Sequence, residues 1–253
     1  MRMRNLARTA LRPLPAPTQA WLKKLAAKWI ATVPFTAAHA RERWLSRVYS
    51  SFARGQKLHI FLSIARFLNI NRPIPGYYFE FGCFGAHTMR MAWDHFHHLF
   101  DMGYVAFDSF RGLPEITEVD AQEIWEQGKL AMSEEEFVRV VTRHGMPRSR
   151  LRTVQGFFDT SLTQELKDQL LPTKAAVIYV DCDLYASTVP VLNWVVDFLQ
   201  RGTVIVFDDW NCFCGDPDRG ERRAWKEFRE LHPTLRFEPF VATNEAQAFV
   251  YLG

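Results

Sequence analysis

Three carboxylates stand where two hydrophobic runs stop: AAVIYVD ends at Asp181, and TVIVFDD ends at Asp208 and Asp209. A run of apolar β-branched residues that closes on an acid reads as a fully buried strand carrying the acid at its carboxyl end. If the two strands are neighbours, the three side chains share one crevice, and three close like charges need a cation. Hard oxygen donors with room for water or substrate suit Mg²⁺. Asp181, Asp208 and Asp209 are therefore the candidate metal ligands. Any one of them alone reads equally well as a helix cap or a solvated loop acid; the set at two strand ends favours the metal. Asp183 is the weaker candidate, because it is placed to cap the helix that follows.

A second group lies upstream. FEFGCFGAHT puts Gly82 and Gly85 between a strand and its helix, behind Glu80. Glycines in such a turn allow the close backbone approach that a nucleoside needs, although two of them also suit a tight packing turn. The next strand, YVAFD, ends in Asp108, an acid placed to accept hydrogen bonds from two ribose hydroxyls. Strand, glycine turn, helix, strand and acid suit a nicotinamide or an S-adenosylmethionine site. The missing third glycine favours S-adenosylmethionine, which has no pyrophosphate to cradle. His87 begins the helix after the turn and faces the same crevice, whereas His95 and His98 read as a solvated helix face.

The elements that must position these groups alternate regularly. Strands are expected at GYYFEFG, Tyr104–Asp108, Leu151–Gly156, Ala175–Asp181 and Thr203–Asp209. Helices are expected over about Ala86–Phe100, after a Ser161–Gln164 capping pattern, over Thr188–Gln200 and near Glu221–Leu231. RFEPFVA and QAFVYL, joined at Thr243-Asn244, close the chain as a hairpin. The pattern is that of an α/β fold: an open, mostly parallel seven-stranded sheet with helices on both faces, ending in an antiparallel hairpin. Residues 112–150 form an insertion too long for a simple connection, with a helix opened by a Ser133–Glu136 capping box.

The 253 residues, 48% apolar and 23% charged, are ordinary globular composition, which excludes disordered and fibrous classes. Cys83, Cys182, Cys212 and Cys214 have neither a disulfide framework nor zinc spacing, and reduced thiols in a cytoplasm are expected. No apolar run is long enough to span a bilayer. Charge is uneven. Residues 1–57 carry twelve Lys/Arg and a single acid, Glu42, so the whole-chain +3 leaves the remainder negative by eight. An acidic main body disfavours nucleic acid as a partner. The basic segment, with Trp21, Leu22, Leu25 and Trp29 on one side of a short helical pattern, suits peripheral contact with the inner face of a membrane, or packing on the domain or a second subunit.

Taken together, YYFEFGCFGAHT, FDSFRGLP, VQGFFDTSL, VIYVDCDLYAST, GTVIVFDDW and GERRAWKEF resemble the macrocin O-methyltransferase family, from about Gly76 to the end of the chain. The resemblance implies a Rossmann-like methyltransferase fold over residues 58–253 behind the basic, partly helical segment 1–57. It implies S-adenosylmethionine and Mg²⁺ as cofactors, and O-methylation of a sugar hydroxyl on a glycan, glycolipid or glycosylated natural product. Carried over by position, Glu80, Gly82, Gly85, Asp108, Ser109, Gly156, Phe157 and Asp181 contact the cofactor, and Asp181, Asp208 and Asp209 match the metal ligands. Asp181 is the expected base and His87 the second choice. The lysine base of catechol O-methyltransferase, whose metal pattern is similar, falls at Leu184 here and is absent. Arg111, Ala186 and His87 depart from the family's usual residues, so the acceptor need not be a macrolide sugar. A homo-oligomer is expected. The alternatives are a hydroxylase-like, non-methylating relative that keeps the crevice, and a membrane-surface scaffold; titration with S-adenosylmethionine separates them, since a scaffold binds none.

Overall fold

The computed structural model describes residues 36–71 and 74–253, together with Leu22, Leu25, Ala26 and Trp29, which are helical. The rest of the amphipathic segment, including Trp21, Lys23, Lys24 and Lys28, lies outside the described residues, as do the Pro-rich start and Arg2 to Arg12. The chain forms two compact units, residues 1–55 and 56–253. In the first, α1 (Ala37–Trp44) is capped by Thr36, whose hydroxyl accepts from His39 N–H at 3.0 Å, and runs into a π-helical turn over Leu45–Tyr49. Helix α2 (Ser50–Ile70) then leads into the second unit.

That unit is a seven-stranded sheet. Its elements in chain order are β1 (Tyr77–Phe81), α3 (His87–Phe96), β2 (Gly103–Asp108), α4 (Glu134–Arg143), β3 (Leu151–Gln155), α5 (Phe158–Ser161), α6 (Gln164–Leu170), β4 (Ala175–Val180), α7 (Tyr185–Val195), β5 (Val204–Phe207), α8 (Gly220–Leu231), β6 (Phe237–Ala242) and β7 (Gln247–Tyr251). The strand order is β3-β2-β1-β4-β5-β7-β6. The first five strands are parallel, and β7 runs antiparallel to both β5 and β6. The open, mostly parallel sheet with a closing hairpin is thus the one the sequence pattern implies.

The period-2 alternation of strands divides the core in two. On one face Tyr78, Tyr104, Tyr179 and Val206 pack against Ile60, Phe61, Ile64 and Leu68 of α2 and Met89, Ala92 and Phe96 of α3. On the other, Phe79, Phe81, Phe107, Val180 and Phe207 pack against α6, α7 and α8 through Leu170, Val191, Val195, Trp225 and Phe228. Each such fully buried side chain contributes about 1.5–3 kcal/mol, so the two layers rather than any staple hold the sheet. All four cysteines are free thiols.

Several boundaries differ from the sequence reading. The 161–164 cap belongs to Thr163, whose hydroxyl accepts from Leu166 N–H at 3.2 Å, because the four-residue α5 ends at Ser161. Helix α7 begins a turn earlier than Thr188, at Tyr185. Asp183 does not cap it. Its backbone sits at φ +62°, and the carboxylate serving α7 is Asp120, from the insertion: its two oxygens accept from Tyr185 N–H at 2.7 Å and Ala186 N–H at 3.0 Å. Ser133 does cap α4, accepting from Glu136 N–H at 3.2 Å, while Glu136 itself pairs with Arg139.

Candidate active site

Strand order reverses between β1 and β4, and in an open α/β sheet a ligand binds at such a switch point, beyond the carboxyl ends of the strands. Register makes those ends flush: Phe81 lies opposite both Phe107 and Val180, and Val180 opposite Phe207. Gly82, Asp108, Asp181 and Asp208 therefore follow along one edge, tied by Gly82 N–H to Phe107 O (2.9 Å), Asp181 N–H to Phe81 O (2.8 Å) and Asp208 N–H to Val180 O (2.9 Å).

The glycine turn is built for close approach. Gly82 has φ +87°, and a Cβ there would lie 1.8 Å from the Asp181 carbonyl oxygen, so no side chain fits. Gly85 has φ +75°, with the His87 ring where its Cβ would point. Asp108 reaches across this turn: one carboxylate oxygen accepts from Cys83 N–H at 2.7 Å and the other from Phe110 N–H at 2.6 Å. Burial raises Asp108 above the usual carboxylate range, against the pull of those backbone donors. Each oxygen keeps a second lone pair, and the carboxylate is half-buried, which suits a ribose diol.

The other expected cofactor residues divide by exposure. Gly156 follows β3, donates to Asp108 O at 2.9 Å, and leads to Phe157, an exposed ring at the start of α5. Ser109 donates to Gly112 O at 2.7 Å and accepts from Arg111 N–H, so its hydroxyl shapes the turn after β2. Glu80 is fully buried beneath the glycine turn, where Thr88 donates to it at 2.9 Å and Tyr78 O–H donates to its other oxygen. Burial pushes Glu80 up to about 7, opposed by both donors. It braces the turn from below. His87 is exposed, with Nδ1 2.8 Å from the Arg90 guanidinium.

Asp181, Asp208 and Asp209 do converge: each offers an oxygen within 4.8 Å of the other two. At an effective dielectric of ~20, each such pair of charges repels by about 3–4 kcal/mol. Burial, reinforced by the neighbouring carboxylates, pushes both Asp181 and Asp209 well above the ordinary range. One oxygen of Asp209 is buried with no hydrogen-bond partner, although Cys212 Sγ donates to the other at 3.3 Å. An orphaned carboxylate oxygen in a hard-oxygen cluster fits a divalent cation such as Mg²⁺.

Sequence reasoning missed part of this site. Asp183 belongs to the cluster and not to a cap; burial and the charge of Asp181 push it up to about 7. Glu221, 1% exposed at the first turn of α8, accepts from Asp209 N–H at 3.0 Å. Tyr179 O–H donates to Asp208. Most unexpectedly, Lys57 of α2 enters the cluster, with Nζ bonded to Asp208 and 4.0 Å from Asp181. The signal was there: Lys57, Ile60, Phe61, Ile64, Ala65 and Leu68 form one i, i+3, i+4, i+7 stripe, so the lysine occupies a core-facing position.

Residues 31–237 match the macrocin O-methyltransferase (TylF) family. Among solved structures, the O-methyltransferase NovP is 22% identical with a TM-score of 0.61, covering 78% of this chain and 80% of NovP. Calicheamicin methyltransferase CalS11 is 20% identical with a TM-score of 0.63 over 94% of each chain. An apo structure of CalS11, described as a TDP-rhamnose 3′-O-methyltransferase, gives 20% and 0.54 over 94% of this chain and 96% of that one. No curated protein sequence matches the chain. These structural likenesses establish the sheet and its helices, and the family match extends through both the glycine turn and the carboxylate cluster: the chain belongs to the macrocin O-methyltransferase family and is an S-adenosylmethionine-dependent O-methyltransferase.

Proposed function

We propose that this methyltransferase acts on a sugar hydroxyl, of a glycan, glycolipid or glycosylated natural product, with Mg²⁺ held by Asp181, Asp208 and Asp209. The observation that carries the reading is the convergence of these carboxylates beside the switch-point crevice, with an Asp209 oxygen left unpartnered. The macrocin O-methyltransferase family and the TDP-rhamnose methyltransferase CalS11 support a sugar acceptor.

In this reading, Asp108 holds the cofactor ribose, the exposed Phe157 lies beside the adenine, and the Gly82–Gly85 turn admits the cofactor's backbone-hugging portion. The bound sulfonium supplies an already activated methyl group, so alignment with the acceptor oxygen does much of the work. A bound divalent cation supplies positive charge that favours ionisation of the acceptor hydroxyl. Asp181, partly exposed at the crevice edge, takes the hydroxyl proton at a carboxylate oxygen as the new O–CH₃ bond forms and the CH₃–S bond breaks. His87, held beside Arg90 at the glycine turn, is the second candidate for the base.

The test is transfer of a labelled methyl group from S-adenosylmethionine to a panel of nucleotide sugars, glycosides, glycolipids and sugar-free phenols, with chelator and with restored Mg²⁺. We expect labelled sugar ethers, loss of labelling in chelator and in Asp209→Ala, and recovery of the wild type by Mg²⁺. Labelling undiminished by chelator would refute the metal. Labelling confined to sugar-free phenols would refute the acceptor class.

A further inference from the structure

Five carboxylates meet at the end of β4 and β5: Asp181, Asp183, Asp208, Asp209 and, from α8, Glu221. Lys57 is inserted among them. Its ammonium bonds Asp208 directly and stands 4.0 Å from Asp181, with a quarter of its side chain exposed. It arrives from a helix whose next turns are locked into the core by Ile60, Phe61 and Ile64, each with no exposed surface. The backbone at Lys57 is therefore fixed, and only the flexible four-carbon stem lets the charge move.

Two facts follow from the charges. One ammonium cannot neutralise even the three nearest carboxylates, so the cluster retains a net negative charge that still attracts a divalent ion. Yet the ammonium occupies two of the three carboxylates such an ion would use, and two cations sharing Asp181 and Asp208 repel one another. A lysine is a cation at neutral pH, and here its ammonium is seated directly against Asp208 and beside Asp181.

We propose that Lys57 is the resident cation of this carboxylate cluster: it satisfies Asp208 and Asp181 before the metal binds, must swing away on its stem when the metal enters, and thereby weakens and sets the metal affinity. This rests on the metal reading given above, and it makes Lys57 a positioning residue outside the set of ligands. The physical gain is a cluster whose mutual repulsion is eased when metal-free, and that releases its metal readily.

The experiment is direct Mn²⁺ binding, by electron paramagnetic resonance or calorimetry, to the full chain carrying Lys57→Met or Lys57→Arg, beside the wild type. Thermal unfolding with and without Mn²⁺ and S-adenosylmethionine affinity are measured in parallel. We expect Lys57→Met to bind Mn²⁺ at least tenfold more tightly and to gain more in Tm from Mn²⁺ than the wild type. Lys57→Arg should stay within about threefold of the wild type. Should Lys57→Met fail to bind S-adenosylmethionine, marking a folding defect, Lys57→Gln takes its place with the same expectation. Equal or weaker Mn²⁺ binding by the neutral variants overturns this proposal while leaving the metal reading intact. No Mn²⁺ binding by any form, with S-adenosylmethionine still bound, overturns both.

Discussion

Single residues here serve two neighbours at once, and this is how the two halves of the site are kept in register. Gly82 is pressed so closely on the Asp181 carbonyl that the cofactor turn and the carboxylate cluster share one van der Waals surface. Asp108 is both a ribose acceptor in our reading and the brace that ties Cys83 N–H to Phe110 N–H across β1 and β2. Asp108→Ala should therefore weaken S-adenosylmethionine binding by about 10- to 100-fold, consistent with the ~1.5–3 kcal/mol typical of hydrogen bonds to a charged group. Calorimetric titration checks this; an affinity unchanged from the wild type would leave Asp108 with a purely structural part. The acids at the strand ends were legible from sequence because each ends an apolar run. Its stripe places Lys57 on the core-facing side of its helix, but its carboxylate partners were not legible, because they depend on what lies past that helix's end.

At the scale of elements, one buried acid of the insertion is tied to the start of α7. Asp120 lies in a short 3₁₀ turn (Glu118–Asp120), is fully buried, and supplies both of its oxygens to the first N–H groups of α7. It thereby satisfies donors that Leu184, the residue at the N-cap position, leaves unserved, and places negative charge at the positive end of the helix. Asp120→Ala is expected to cost about 2 kcal/mol, the upper end for a lost cap, and Asp120→Asn less. Urea denaturation gives the stability, and limited proteolysis should show faster cleavage within 112–150 in the alanine variant. Local signals found Ser133, three residues from the N–H it caps. They could not find Asp120, which lies 65 residues before Tyr185.

At the scale of the molecule, stability carries a pH dependence that originates below the glycine turn. Glu80 is fully buried, and its carboxyl is pushed up to about 7 from an ordinary 4.5, chiefly by burial. Between those values the folded chain keeps a proton that the unfolded chain releases, so this group's contribution falls as pH rises through the window. The difference is on the order of 3 kcal/mol. Glu80→Gln removes the titration. Measured from pH 4.5 to 8, the stability of the wild type relative to Glu80→Gln should decline by that order, with most of the change between pH 5 and 7. A flat difference would mean that Glu80 ionises as an exposed acid does.

What the sequence by itself determined is what repeats or terminates locally. Short apolar runs specify the strands, glycines between strand and helix specify the turn, and the acids that close three of those runs mark a carboxyl edge; these alone imply the seven-stranded sheet and the three-carboxylate cluster. What only the tertiary structure decided is which groups meet across long chain separations. The cluster's enlargement by Asp183 and Glu221, the cap that Asp120 lends to α7, and the seating of Lys57 against Asp208, 151 residues away, all follow from packing. The reason is physical: spacing along the chain reports a residue's own helix or strand face, whereas a charge's partner is set by where two separately packed elements end.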